Sequence, residues 1–363
     1  MKEPKLRVGD WVVVRDREEI LRTLDKKGQL DGMPFMPEMF AYCGKSFRVF
    51  KRAHKTCDTV GDYKSRKLKD AVHLDGIRCD GQAHGGCEAL CLIFWKTCWL
   101  RTVDPTVEDS IPQQVPGPDG PHAYGGNAQC TTADVLACTT RTSNGNDSPA
   151  YTCQATQLPE ATQPLPWWEW SQYLEDYTSG NVSLGRMAKT FAHATYRWWI
   201  VNLGIGIGPA ARWLYDRFQE ILGGVPYPHK PGKIPMGERT PAITLDLQPG
   251  EWVRVKSHDA IRATCDTLQR NRGLWFDAEM VPYCGGTYRV LRRVTKILDE
   301  KTGKMQEMKT PCIILDSVVC QARYANCRLF CPRSIHPYWR EIWLERIDTS
   351  MAVEIRNRQE IEG

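Results

Sequence analysis

Polar and hydrophobic positions alternate over residues 9–15, where Gly9-Asp10 leads into Trp11-Val12-Val13-Val14, and this pattern predicts a strand. Ile20, Leu21 and Leu24 then recur at helical spacing and predict one short helix over Glu18–Leu24. Residues 28–37 carry Gly and Pro punctuation and read as a loop. Phe47–Phe50 reads as a second strand, entered through the turn at Cys43-Gly44, and Ala71–Leu74 as a third. Asp80–Gly86 is a glycine-rich loop or knuckle, and Leu92–Val103 returns to an apolar strand, or a short helix plus strand.

The same pattern begins again at Gly250-Glu251-Trp252-Val253-Arg254-Val255. The step from Gly9 to Gly250, 241 residues, aligns Gly9–Cys79 with Gly250–Cys320 without a gap. It brings Trp11 onto Trp252, Ile20 onto Ile261, Gly32 onto Gly273, Glu38-Met39 onto Glu279-Met280 and Tyr42-Cys43-Gly44 onto Tyr283-Cys284-Gly285. The chain therefore reads as an internal duplication. Copy two has strands at Trp252–Val255, Tyr288–Leu291, Cys312–Leu315 and Ile342–Arg346, with a hairpin turn around Lys301–Lys304. Short strands and a single helix in the first long loop suggest, by analogy of pattern, a mainly β fold with a helical insertion. Its two small SH3-like barrels would be joined by an irregular linker and a helical hairpin.

The boundaries follow from composition. The first barrel repeat takes residues 1–104, and a Pro/Gly/Thr-rich linker takes 105–166. Within that linker Ala133–Leu136 suggests one helical turn, and Cys153–Thr156 a tethered strand. Residues 167–224 form a Trp-rich helical hairpin, with one helix from Ser183 through Trp198 and another from about Ala210 to Leu222. Ile205-Gly206-Ile207-Gly208-Pro209 breaks the two apart. A Pro-rich connector takes 225–249, the second repeat 250–350 and a C-terminal tail 351–363. Trp167, Trp168, Trp170, Trp198, Trp199 and Trp213 are expected to pack on the barrels. The functional alternatives are a partner surface or a shallow membrane contact.

Composition changes this picture little until the cysteines are counted. At 363 residues, the chain is long enough for two or three domains, and 42% apolar with 25% charged residues is ordinary for a soluble globular protein. A net charge of +5 does not by itself demand nucleic acid or an anionic membrane. Residues 1–7 lack the apolar core of a signal peptide, and no run is long enough for a membrane span, the nearest being Trp198–Ala211. The expected compartment is the cytoplasm. Oligomeric state is not legible.

Fifteen cysteines are many for a chain in a reducing compartment, where patterned thiols bind metal or do chemistry more often than they form disulfides. Four recur in each copy: Cys43, Cys79, Cys87 and Cys91, and then Cys284, Cys320, Cys327 and Cys331. The first two of each set lie 36 apart and the last two lie 4 apart in both copies. Four thiolates suffice for tetrahedral zinc or for an iron–sulfur cluster. Zinc is favoured because a small barrel with long loops gains folding free energy from a closed site, and about two sites per chain are expected. Cys331-Pro332 keeps the iron–sulfur alternative open.

Copy one also has features of its own. Cys57 lies in His54-Lys55-Thr56-Cys57-Asp58, where basic neighbours would lower a thiol pKa, so Cys57 with His54 is the candidate catalytic pair. His84 could replace a cysteine ligand, although loop geometry or solvent exposure is the plainer reading. Cys130 and Cys153 could reach a barrel from the linker as ligands. Glu38 and Glu279 precede the first cysteine in matching places and could serve a ligand from behind, with salt-bridging or capping as the plainer account.

No phosphate-binding loop, dinucleotide fingerprint, nucleophile elbow or His-Glu-x-x-His motif is present. Basic residues follow the second strand of each copy (Arg48, Lys51, Arg52; Arg289, Arg292, Arg293) among Phe47, Phe50 and Tyr288. A solvated strand face accounts for them, and nucleic-acid binding is a minor alternative.

Met36-Pro37-Glu38-Met39, His54–Thr59, Arg78–Gly81, Gly85-Gly86-Cys87 and Tyr283–Arg293 together resemble a bacterial family of duplicated Cys-rich proteins found near polysaccharide or specialised-metabolite genes. The resemblance covers both repeats and the helical middle. It transfers no catalytic residue and implies a bacterial cytoplasmic protein. The resulting expectation is a metal-binding, tandem-barrel binding or scaffold protein, accessory to a biosynthetic pathway and meeting a protein partner through its Trp-rich helices. An iron–sulfur or thiol-dependent enzyme is the alternative.

Overall fold

Val12 and Val14 are fully buried while Trp11 on the same strand is 44% exposed, so the alternation seen in the sequence sets the inner face of strand β1 (Trp11–Val14). The structure, a computed structural model, describes residues 5–61, 63–103, 130–141, 148–201, 207–221, 224–325 and 327–347. It divides into two compact units. Unit 1 is Met1–Ser183 with Leu298–Gln306 and Cys331–Arg333; unit 2 is Leu184–Ile297 with Glu307–Phe330 and Ser334–Gly363. Most of the first half of the linker and the C-terminal tail lie outside the described residues.

In unit 1, β1 is followed by helix α1 (Arg17–Leu21), where the Glu19 carboxylate accepts from the Asp16 N–H at 3.3 Å and starts the first turn. Strands β2 (Ser46–Arg52), β3 (Lys55–Cys57), β4 (Ser65–Lys67), β5 (Ala71–Leu74), β6 (Trp95–Lys96) and β7 (Leu100–Thr102) follow. A five-stranded antiparallel sheet has the order β6-β5-β2-β1-β7. Its inner face meets Ile20, Phe35, Met39, Trp95 and Trp99 in one core.

The stretch expected as an irregular linker is structured over its second half. Helices α2 (Thr132–Ala137) and α3 (Gln154–Ala161) place Val135, Cys153, Ala155 and Leu158 in the core of unit 1. The Gln154 side chain bonds the main chain of Phe94 at both its N–H, 2.7 Å, and its carbonyl, 2.8 Å. Buried amide-to-backbone bonds of this kind fix α3 in place. Strand β8 (Gln163–Pro164) extends β4 and β3 into a second small sheet. Helix α4 (Ser171–Thr178) closes over β3, where Lys55 Nζ lies 2.6 Å from Asp176 with both side chains fully buried.

Unit 2 holds helices α5 (Leu184–Thr195) and α6 (Gly208–Ile221), strand β9 (Trp252–Val255), helix α7 (His258–Arg262), and strands β10 (Thr287–Leu298), β11 (Met305–Leu315) and β12 (Leu344–Arg346). The last residue of β10, the first two of β11 and the turn between them belong to unit 1. The sheet order is β11-β10-β9-β12. Trp11 pairs with Arg48 and Trp252 with Arg289, the same register displaced by the same step. Trp99 Nε1 donates to Thr23 Oγ1 at 2.9 Å, and Trp343 Nε1 to Thr264 Oγ1 at 3.0 Å. The architecture is mixed, with small antiparallel sheets and short helices.

The tryptophans depart from expectation. Trp167, Trp168, Trp170, Trp198, Trp199 and Trp213 are all at least 60% exposed instead of packed on the sheets. The cores are already filled by Trp95 and Trp99 in unit 1 and by Trp339 and Trp343 in unit 2. Among the described residues no helix is long and apolar enough to cross a membrane.

Candidate metal centre

Glu38, Cys79 and His84 converge in unit 1, with one ligand atom from each lying within 4.8 Å of the others. Three local features bring them together. Pro37 opens the 3-10 turn Pro37–Tyr42, which sinks Met39 into the core and directs Glu38 beside it toward the Cys79 loop. The Cys79 N–H donates to the Cys91 carbonyl at 2.8 Å and ties the two limbs of that loop. Gly81, at φ +75°, then turns the chain so that the N–H groups of His84 and Gly86 both donate to its carbonyl at 2.9 Å. A Cβ on Gly81 would stand 1.9 Å from the Cys87 carbonyl oxygen, so only glycine fits this bend.

His84 is therefore buried, 1% exposed, and not the solvent-facing loop residue that is the plainer sequence reading. Its Nε2 lies 3.3 Å from Glu38 Oε1. His84 Nδ1 and Glu38 Oε2 are buried without a hydrogen-bond partner. Such atoms call for an explanation, an ion or a water being the common ones. Burial raises the Glu38 pKa, but hydrogen bonds from His84 and Cys79 hold it below the ordinary carboxylate value. Burial and the adjacent Glu38 carboxylate push the Cys79 thiol far up. Without a cation, Cys79 is thus a thiol hydrogen-bonded to a carboxylate. A bound cation has to expel its proton.

Cys79 and His84 open on a cavity of about 40 Å³, also lined by Cys87, Cys91, Cys153, Glu300 and Arg333. That is room for an ion with water and far less than the roughly 300–1,000 Å³ of small-molecule sites. Burial raises Cys91 to about 12 and Cys153 to about 11, so both are neutral thiols. Cys87 Sγ accepts from the Leu298 N–H at 3.4 Å. Arg333, 2% exposed, pairs with Glu300 at 2.8 Å and donates to Thr59 Oγ1 at 3.1 Å. Burial opposes its charge, yet Glu300 raises its pKa well above the ordinary value.

The structure distributes the eight sequence-matched cysteines unevenly. Cys79, Cys87 and Cys91 line the cavity, whereas Cys43 ends the 3-10 turn near Arg17 and Asp16. Cys284 ends the equivalent turn Ala278–Tyr283 in unit 2, where burial raises it to about 12. Cys320 and Cys327 also fall in unit 2, and Cys331 in unit 1 near Lys55. Among the described residues, Glu38, Cys79 and His84 are the one group of three or more ligand atoms this close; four cysteines of one copy do not form such a group. Cys153, reaching in from α3, takes part in the cavity, while Cys130 packs in the core and Cys138 lies near Lys26.

In copy two Glu279 keeps its place, but Oε1 accepts from the main-chain N–H of Tyr324 at 2.6 Å and Ala325 at 3.3 Å. Backbone donors stand where copy one supplies a histidine. Of the candidate catalytic pair, His54 Nε2 lies 3.2 Å from Asp176, and the buried Cys57 presents its carbonyl to Arg333 at 3.4 Å. Basic strand residues are partly engaged by the fold: at the surface Arg48 bonds the Gly9 carbonyl and Arg289 the Gly250 carbonyl, and the buried Arg52 pairs with Glu175. Glu300 and Arg333 carried no signal in the sequence, because apart from each other their partners Thr59 and Cys57 are more than 200 residues away in the chain. No protein-family model matches the chain, and a search of curated proteins finds no match.

Proposed function

We propose that this is a metal-binding protein with one centre, built by Glu38, Cys79 and His84 of copy one, and that zinc is its ion. The observation that carries the reading is the convergence of three different ligand types with a buried, unpartnered His84 Nδ1 and Glu38 Oε2. In tetrahedral zinc sites the ligand atoms stand about 3.3–3.8 Å apart, so this group needs only a modest closure. Water or one of the cavity thiols would complete the set. A cavity this small favours a structural or scaffolding role over turnover of a sizeable substrate. Copy two, in which main-chain N–H groups bond Glu279 Oε1 and, among the described residues, no histidine stands beside it, then has an architectural role. The common register of β1 and β9 supports reading the two sheets as related SH3-like units. Fifteen cysteines, all free, suit the reducing environment of the cytoplasm.

A second reading rests on a separate observation: Cys79, Cys87, Cys91 and Cys153 line one cavity, the ligand type an iron–sulfur cluster takes. Anaerobic purification separates the two. Colourless protein with zinc supports the first reading, and broad visible absorbance with iron and sulfide replaces it by the second.

A further inference from the structure

Unit 2 carries an unpartnered apolar surface that the metal reading does not use. Trp198, Trp199, Trp213, Leu214 and Phe218 are each 58–63% exposed, and Ile221 is 83% exposed. On α6, Leu214, Phe218 and Ile221 follow one another at helical spacing, so they share a face, with Trp213 beside it. Exposed side chains of this size in one short region mark a contact surface.

Charge identifies what it contacts. From Trp198 to Ala211 the sequence has no charged residue, and Arg197 and Arg212 bracket that stretch. Residues 184–221 carry five Lys or Arg against Asp216 and Glu220. Asp216 is turned inward, accepting from the Tyr227 N–H at 2.8 Å and pairing with Lys230, while Arg186 and Arg197 donate to the Gln321 and Tyr324 carbonyls; Lys189, Arg212 and Arg217 against Glu220 leave the outward balance basic. Lys189 is exposed, and the Arg217 guanidinium sits over the Trp213 ring, 5.9 Å from its centroid. Tryptophan is the side chain that prefers the boundary between water and hydrocarbon, and arginine reaches from it to phosphate.

We infer that α5, the turn Tyr196–Val201 and α6 form a docking surface for an anionic lipid bilayer, in which the aromatic face lies in the headgroup region and the exposed Lys189 and Arg217 meet lipid phosphates. The proposal is independent of the metal centre, which lies in unit 1.

The test is co-sedimentation of the full chain with phosphatidylcholine vesicles, with and without phosphatidylglycerol. The wild type should sediment with the anionic vesicles and detach as salt is raised. Trp213→Gln with Phe218→Gln should weaken binding by at least about tenfold. Lys189→Gln with Arg217→Gln should weaken binding to anionic vesicles by roughly tenfold and leave the neutral ones unchanged. All four side chains are exposed, so unaltered circular dichroism and metal content are expected in both variants. No sedimentation with either vesicle overturns the inference. So does a wild-type dimer, absent from vesicles, that Trp213→Gln with Phe218→Gln turns into a monomer: the occupant would then be a second copy of the chain.

Discussion

Replacing Gly81 by alanine should be far more damaging than the same change at Gly76, and the difference isolates the bend that builds the site. Both glycines have left-handed φ, +75° at Gly81 and +70° at Gly76. Alanine in that region costs about 1–2 kcal/mol in either place. A new Cβ at Gly76 meets nothing within 4 Å, so its cost ends there. At Gly81 the Cβ falls 1.9 Å from a backbone oxygen, so the loop has to move by more than an ångström. That movement strains or breaks the two bonds to the Gly81 carbonyl, each contributing about 1 kcal/mol. Gly81→Ala should therefore cost roughly 3–4 kcal/mol in all, against 1–2 for Gly76→Ala. Urea unfolding of the metal-free proteins, followed by tryptophan fluorescence, measures both. Zinc affinity should also fall at least about tenfold in Gly81→Ala, since His84 leaves its place. Equal costs for the two variants, or full zinc binding by Gly81→Ala, would refute the role given to the bend.

Other consequences follow from the same structure. Asp176→Ala strands the fully buried Lys55 and should cost about 3–5 kcal/mol, whereas Lys55→Met with Asp176→Leu should restore most of it; chemical denaturation decides. His73 is completely buried and its pKa is pushed down to about 3, with Nδ1 held 2.9 Å from the Ile93 carbonyl. The unfolded chain therefore binds this proton first. Stability is complete above pH 6.5 and falls as pH drops toward 3, by about 1.4 kcal/mol per unit, and His73→Leu should flatten that slope in pH-dependent melting. Zinc binding should release protons, since Cys79 starts as a thiol, so calorimetry in buffers of different ionisation enthalpy should give buffer-dependent heats.

Much of the fold was legible because its signals are local. Alternation placed Trp11–Val14, helical spacing placed α5 and α6, and glycine density marked the loop that carries His84. The repeat drew attention to Cys43 and Cys284, but both end a 3-10 turn at similar backbone angles. Equal spacing can thus record a shared fold as readily as a shared ligand set. The closest ligand group uses His84, the residue copy two lacks, and Cys153, Glu300 and Arg333 reach the cavity from distant parts of the chain. Such contacts leave no periodic trace. Tryptophan exposure was equally hidden, because periodicity marks an apolar face without saying what covers it.

Elemental analysis of the full chain, purified without chelator, tests the central claim most directly. The account predicts about one zinc per chain in the wild type, lost in Cys79→Ser and in His84→Ala while the circular dichroism is kept. A wild type that holds no metal, or variants that hold as much as the wild type, would contradict it.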